Sequence, residues 1–220
     1  MIVHPILRVP RDDSGDYGPC IMNIIEKSKT LSWLLRHGAR EAGITMDAAG
    51  WTPVGEVLRY LRMNRADLEE VVRTNSKNRL EIVNERIRAC QGHSTENMPV
   101  TLEALEASWH LYEAGGSLFH GTTVEATEPI SREGLIPQKR THVHLAPSLE
   151  SKVGKRSATP VVLEVSTERL RDAGEKIYEA QNGVILVRRV PRSCFVGLVC
   201  TTKAAEKKER ELKARFGLNT

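Results

Sequence analysis

Four short stretches gather the residue types that handle anions. In LSWLLRHGA (31–39), Arg36 and His37 stand side by side at the end of an apolar run. A guanidinium grips phosphate oxygens in pairs, and an imidazole with an ordinary pKa near 6.5 moves protons at neutral pH. The same two residues also read as a helix C-terminal cap, where positive charge is favoured by roughly 0.3–1 kcal/mol. In RIRACQGHS (86–94), Arg86 and Arg88 alternate along an extended segment and so share a face, while Gly92 permits a turn that presents Gln91, His93 and Ser94. That turn reads either as an anion cradle or as a plain polar turn after a strand.

In FHGTT (119–123), His120, Gly121 and Thr122 offer an imidazole, backbone N–H groups and a hydroxyl to a ligand lying close to the chain. A hydrogen-bonded core histidine is the ordinary alternative there. The stretch QKRTHVHLA (138–146), read with a strand period of two, puts Arg140, His142 and His144 on one face. His-x-His can begin a zinc site. No neighbouring Cys, His, Asp or Glu supplies a third ligand at a recognisable spacing, and Arg140 would repel a dication, so no metal is expected.

Something must bring these stretches together. Apolar spacing predicts a helix from Asn23 to Leu35 and two more in VGEVLRYLRM and RADLEEVVRTN, followed by a hairpin of RLEIV and NERIRACQGHS turning at Asn84. Three helices and a hairpin suggest a winged helix. STENMPVTLEALEAS (94–108) reads as a linker around Pro99 that runs into a helix at Thr101. Five β-like segments follow, SLFHGTT, THVHLA, PVVLEVS, GVILVRRV and CFVGLV, with one clear helix near EATEPISREGL; a compact α+β lobe is expected. The tail TKAAEKKERELKARFG reads as a solvated helix, and residues 1–20 as an extension without an assigned role.

Composition narrows the function classes. The 220 residues are 40% hydrophobic and 27% charged, a globular balance. No apolar stretch approaches the roughly 20 residues that cross a bilayer, and the acidic N-terminus does not read as a signal peptide; a soluble, cytoplasmic, monomeric protein is the expectation. The net charge of +4 is thinly spread, with 14 Lys and Arg against 13 Asp and Glu in residues 1–100, so charge alone names no nucleic-acid partner. Eleven of those 14 bases are arginine, the residue suited to phosphate. Cys20, Cys90, Cys194 and Cys200 contain no CxxC pair and read as mostly buried thiols.

Taken together and in this order, the stretches resemble the RNA 2′-phosphotransferase family, the KptA-type enzymes of tRNA splicing. SKTLSWLLRHGAREAGITMDAAGW, KNRLEIVNERIRACQGHS, LFHGT and GLIPQKRTHVHLA carry the resemblance, which spans about Lys27 to Val199. It implies an N-terminal winged-helix lobe (21–98) and a C-terminal ADP-ribosyltransferase-like lobe (99–220), with the active site in the cleft between them. It further implies NAD as a consumed co-substrate and, as RNA partner, a chain bearing an internal 2′-phosphate. That phosphate attacks the nicotinamide ribose, and a neighbouring hydroxyl then attacks phosphorus, leaving 2′-OH RNA, ADP-ribose 1″,2″-cyclic phosphate and nicotinamide.

Under this resemblance Arg36, Arg88 and Arg140 are the expected phosphate clamp and His37 the proton-handling group. Each clamp residue would be worth roughly 3–4 kcal/mol in the transition state. His120, Gly121 and Thr122 fall on the NAD side, joined by His144 and the turn Gln91, Gly92, His93 and Ser94. Two other readings stay open: an ADP-ribosyltransferase that caps terminal phosphates of RNA or DNA, and a non-catalytic winged-helix regulator. The regulator reading leaves FHGTT and RTHVHL without a task, and RADLEEVVRTN is nearly neutral where a recognition helix would be basic.

Overall fold

The computed structural model describes residues 24–151, 153–154 and 159–218. The expected extension 1–20, with Cys20, lies outside the described residues. Helix α1 (Ile24–Trp33) runs directly into a π-helical turn, Leu34–Gly38. Leu31, Leu34 and Leu35 repeat at helical spacing and are all fully buried. A π turn carries an extra residue per turn and rotates the side chains that follow it. Gly38 makes the turn possible: a Cβ there would lie 2.5 Å from Cη2 of the Trp33 ring folded over it.

Strand β1 (Thr52–Pro53) precedes helices α2 (Val54–Leu61) and α3 (Arg65–Arg73). The Asn64 side chain accepts the Asp67 N–H and caps the start of α3. Strands β2 (Leu80–Val83) and β3 (Arg86–Ala89) form the expected hairpin, turning on Asn84 and Glu85, both at positive φ, as a tight two-residue hairpin turn requires. β1 adds to the far edge of β3, giving an antiparallel order β1-β3-β2. Leu31, Leu34, Leu35, Val57, Leu68, Val71 and Ile87 pack together as one core beneath this sheet and its helices.

The expected linker is packed, not free. Met98 is buried in the first core, Val100 touches both that core and the Leu105–Trp109 cluster, and the Thr101 N–H donates to the Ala48 carbonyl at 3.0 Å. The Thr101 hydroxyl caps α4 (Leu102–Ala107). Beyond it lie β4 (His110–Leu111), β5 (Ser117–Thr122), α5 (Thr127–Glu133), β6 (Val143–Leu145), β7 (Val161–Ser166), α6 (Thr167–Asp172), β8 (Tyr178–Glu179), β9 (Ile185–Val187) and β10 (Phe195–Cys200). They build two antiparallel sheets, β10-β7-β5 and β4-β8-β9-β6. The sheets meet where Phe119 and Ala146 exchange backbone hydrogen bonds at 2.8 and 2.9 Å. Helices and sheets together make the α+β class.

Three expectations are corrected here. Helix α6 is a second helix of the C-terminal half that the apolar pattern did not announce; it is short and held by its Ser166 cap. Only Val143–Leu145 of THVHLA is strand, so Arg140 and His142 are placed by the turn before it. The tail is two helices, α7 (Lys203–Glu206) and α8 (Glu209–Arg215), and it is not simply solvated. Ala205 and Leu212 are fully buried, Phe216 packs edge-on against Phe195 at 5.1 Å, and Arg215 donates to the Thr127 hydroxyl. Cys90 and Cys194 are buried thiols and Cys200 is half-buried. Among the described residues no helix is long and apolar enough to cross a membrane.

Candidate active site

A cavity of about 660 Å3 opens between the first core and the two C-terminal sheets. This is within the roughly 300–1,000 Å3 usual for ligand sites. Its position follows from one backbone seam. The Ser94 N–H donates to the Arg36 carbonyl at 3.0 Å, docking the QGHS turn on the π turn. On its other side the turn pairs with the segment before β6: Thr141 N–H donates to His93 O, and Thr95 N–H to Lys139 O, both at 3.1 Å. Three pieces of chain, 36–38, 91–95 and 139–141, are thereby stitched side by side, and Arg36 and Arg140 line the same cavity.

The Arg36 guanidinium lies against Gly92, whose φ is +88°; a Cβ at Gly92 would stand 3.3 Å from Cζ of Arg36. Its Nε and Nη2 are sealed from solvent and have no hydrogen-bond partner. Burial first, then repulsion from Arg79 and Arg140, pulls the Arg36 pKa down from its ordinary value to about 10. A cation with two sealed, unpartnered nitrogens and two like charges close by is unfavourable by itself. It becomes favourable when an anion lies across the group.

Arg79 lines this cavity together with Lys77, and sequence reasoning had assigned a role to neither. Their only sign was the Lys-x-Arg at the head of the KNRLEIVNERIRACQGHS block. Arg88 is not brought to the wall. It is 3% exposed, forms an ion pair with Glu81 and stacks on the Trp51 ring at 4.5 Å. Arg86 shares that face, as alternation predicts, but it pairs with Asp47 at the surface.

His37 is exposed and does not line the cavity; its Nδ1 is 3.2 Å from the Ser94 hydroxyl. Of the QGHS turn only Gln91 reaches the wall. Ser94 and Gly92 act behind it, and His93 is fully buried with neither ring nitrogen hydrogen-bonded. Burial above all, with Arg36 and Arg88 adding, pushes the His93 pKa down to about 3, so it is a neutral core group.

His120, Gly121 and Thr122 of β5 and His144 of β6 also line the cavity, as do Thr159 and Asn182, which sequence reasoning missed. The His120 Nδ1–H donates to the His144 carbonyl at 3.0 Å. Arg140 Nη1 is 3.0 Å from His144 Nδ1; a guanidinium only donates, so that nitrogen accepts and the proton of His144 sits on Nε2. Burial, then Arg140 and Arg36, holds the His144 pKa well below the usual range. Among the described residues no three His, Cys, Asp or Glu side chains are grouped so as to hold a metal ion.

Fold and cavity thus define an α+β protein with a pocket lined by Arg36, Lys77, Arg79 and Arg140 together with His120, His142 and His144. Residues 23–189 match the family described as RNA 2′-phosphotransferase, Tpt1/KptA, and the chain belongs to that family. A probable RNA 2′-phosphotransferase of Pseudomonas syringae pv. tomato is 40% identical over 176 residues, covering 76% of this chain and 90% of the relative. Similar proteins of the same description come from Pseudomonas savastanoi pv. phaseolicola, 39% identical over 79% of this chain and 93% of the relative, and from Streptomyces griseus, 37% identical over 76% and 93%.

Proposed function

We propose that this chain is an NAD-dependent RNA 2′-phosphotransferase that removes an internal 2′-phosphate, with Arg36, Arg79 and Arg140 holding the phosphate. The single observation carrying this reading is the Arg36 guanidinium, buried and crowded by two like charges, with Nε and Nη2 unpartnered on a residue of the cavity wall. A phosphate dianion, and the further charge it gathers during transfer, needs fixed positive donors in a site shielded from water. Arg79 here takes the place expected of Arg88.

His37, just outside the cavity wall, is the proton-handling group, oriented by the Ser94 hydroxyl. His120, Gly121, Thr122 and His144 hold the NAD side, where the imidazoles and the Thr122 hydroxyl suit ribose and amide groups. NAD supplies the ribosyl carbon that accepts the phosphate. The order of three helices and a hairpin, with a core separate from that of the C-terminal sheets, supports reading the two parts as a winged-helix lobe and an ADP-ribosyltransferase-like lobe.

The test is incubation with NAD and an oligonucleotide carrying one internal 2′-phosphate. The expected products are nicotinamide, 2′-OH RNA and ADP-ribose 1″,2″-cyclic phosphate. An ADP-ribosylated RNA that persists would instead support end-capping, and no NAD consumption with this RNA would sink the proposal.

A further inference from the structure

His142 was not among the expected ligand-binding residues, yet it lines the cavity and is held by both a carboxylate and an aromatic ring. Its Nε2 is 3.0 Å from Glu106 Oε1 on α4. The Glu106 carboxylate is gripped by the fork of Arg188, with Nε to Oε1 at 2.6 Å and Nη2 to Oε2 at 3.0 Å, and Tyr178 donates its hydroxyl to Oε2 at 3.1 Å. Burial would raise the Glu106 pKa, but the hydrogen bonds from Arg188, His142 and Tyr178 outweigh it and hold it down to about 2. An ionised carboxylate only accepts, so the His142 proton is on Nε2. The Trp109 ring meets the imidazole edge-on at 4.9 Å and fixes its plane. Trp109 is itself held by its Nε1–H on the Cys90 carbonyl at 2.9 Å.

The other nitrogen, Nδ1, is buried and has no hydrogen-bond partner, on a side chain that is 1% exposed and lines the cavity. Burial keeps the imidazole neutral despite Glu106, whose hydrogen bond pulls the other way. Nδ1 is therefore a fixed lone pair, an unanswered acceptor on a side chain that shares the cavity lining with Arg36, Lys77, Arg79 and Arg140. It repels a phosphate oxygen and attracts a hydrogen-bond donor. Two residues along, His144 carries the opposite feature, an Nε2 that bears the proton and is likewise buried without a partner. A hydroxyl can donate to the one or accept from the other, whereas a phosphate oxygen can only accept.

We propose that His142, locked by Glu106, binds substrate by accepting a hydrogen bond at Nδ1 from a ribose hydroxyl, with Glu106 as the positioning residue that sets the tautomer. The proposal rests on the function proposed above for the identity of its ligands. Ribose hydroxyls occur on both NAD and RNA, and the measurements below separate the two.

Replacing His142 by Phe keeps the ring volume and removes both nitrogens. The KM for one substrate, NAD or 2′-phosphorylated RNA, should rise about five- to tenfold, the worth of one hydrogen bond, with the other KM nearly unchanged. His142→Asn, which retains an acceptor, should recover part of the loss. Glu106→Gln should raise the same KM, and the double variant E106Q/H142F should be no worse than H142F, because the carboxylate acts only through the ring. Unchanged KM for both substrates in H142F, or additive losses in the double variant, would overturn the proposal.

A readout on the unmutated protein covers the case in which the variants fold poorly. In 15N spectra of histidine-labelled protein, His142 Nδ1 should resonate as an unprotonated nitrogen and shift upfield on saturation with NAD or with the RNA. A protonated Nδ1, or no shift with either ligand, overturns the inference. Wild-type protein that leaves the 2′-phosphate in place would count against the proposed function instead, and the spectral change with NAD would still report on His142.

Discussion

Arg79 and Arg88 stand nine residues apart, and their fates diverge because of which neighbours each one meets. Arg88 is buried against Trp51 and paired with Glu81, so its charge is already answered. Arg79 faces the cavity, and its field reaches Arg36. Substituting Arg79 by Ala is expected to lower kcat/KM for 2′-phosphate removal by at least a hundredfold while leaving the melting temperature within a few degrees of wild type. Arg88→Ala should do the reverse: it leaves Glu81 without its partner, costs about 3 kcal/mol of stability, and reduces activity only in proportion to the unfolded fraction. Parallel thermal melts and steady-state rates on the two variants check this, and equal kinetic damage at full stability in R88A would return Arg88 to the clamp. Arg36→Lys keeps the charge but loses the planar fork lying on Gly92, and a drop of tenfold or more is expected in the same assay.

Among the elements, the π turn carries the most consequence for the site. Trp33 folds over Gly38, and the turn aims Arg36 at the QGHS segment. Gly38→Ala forces a methyl group into the Trp33 ring, and the turn must shift; a loss of roughly 1–3 kcal/mol is expected, with a larger fall in activity than the stability change explains. Urea melts alongside rates at saturating substrate would show the two effects separately. The C-terminal helices make a second case. Leu212 is fully buried in the core that also holds Phe195 and Leu198, so Leu212→Ala should cost about 2–5 kcal/mol. A solvated tail would register almost nothing in that melt.

For the whole molecule, the buried neutral histidines set a pH signature. The folded-state pKa of His93 is lowered to about 3. Between that value and the ordinary 6.5 the unfolded chain binds a proton that the folded chain does not, so stability falls as the pH drops through this window. His144 adds in the same direction. Glu106 contributes lower down: its depressed pKa gives stability that is present above about 4.5 and is lost as pH falls toward 2. The melting temperature should therefore decline steadily from pH 7 to 4, with His93 supplying up to about 1.4 kcal/mol per pH unit. A flat profile over that range would mean that His93 is hydrated or hydrogen-bonded in solution.

Much of this molecule is legible in its residues alone, because local rules govern it. Helical spacing of Leu31, Leu34 and Leu35 defined the first core helix, and Asn84 marked the hairpin turn. The types and order of Arg36-His37, QGHS, FHGT and HVHL pointed to a polyanion site and to the family. What the chain could not disclose by itself is pairing across long separations. Whether an arginine meets a carboxylate or a cavity depends on strand register and on a seam between segments 36–38, 91–95 and 139–141, and no periodicity encodes either. Tertiary structure therefore decided that Arg79 lines the cavity with Arg36 while Arg88 pairs with Glu81, that the polar tail seals a core, and that one side chain of α4 hydrogen-bonds His142. A charge acquires its role from the dielectric and the partners around it, and those exist only once the chain has folded.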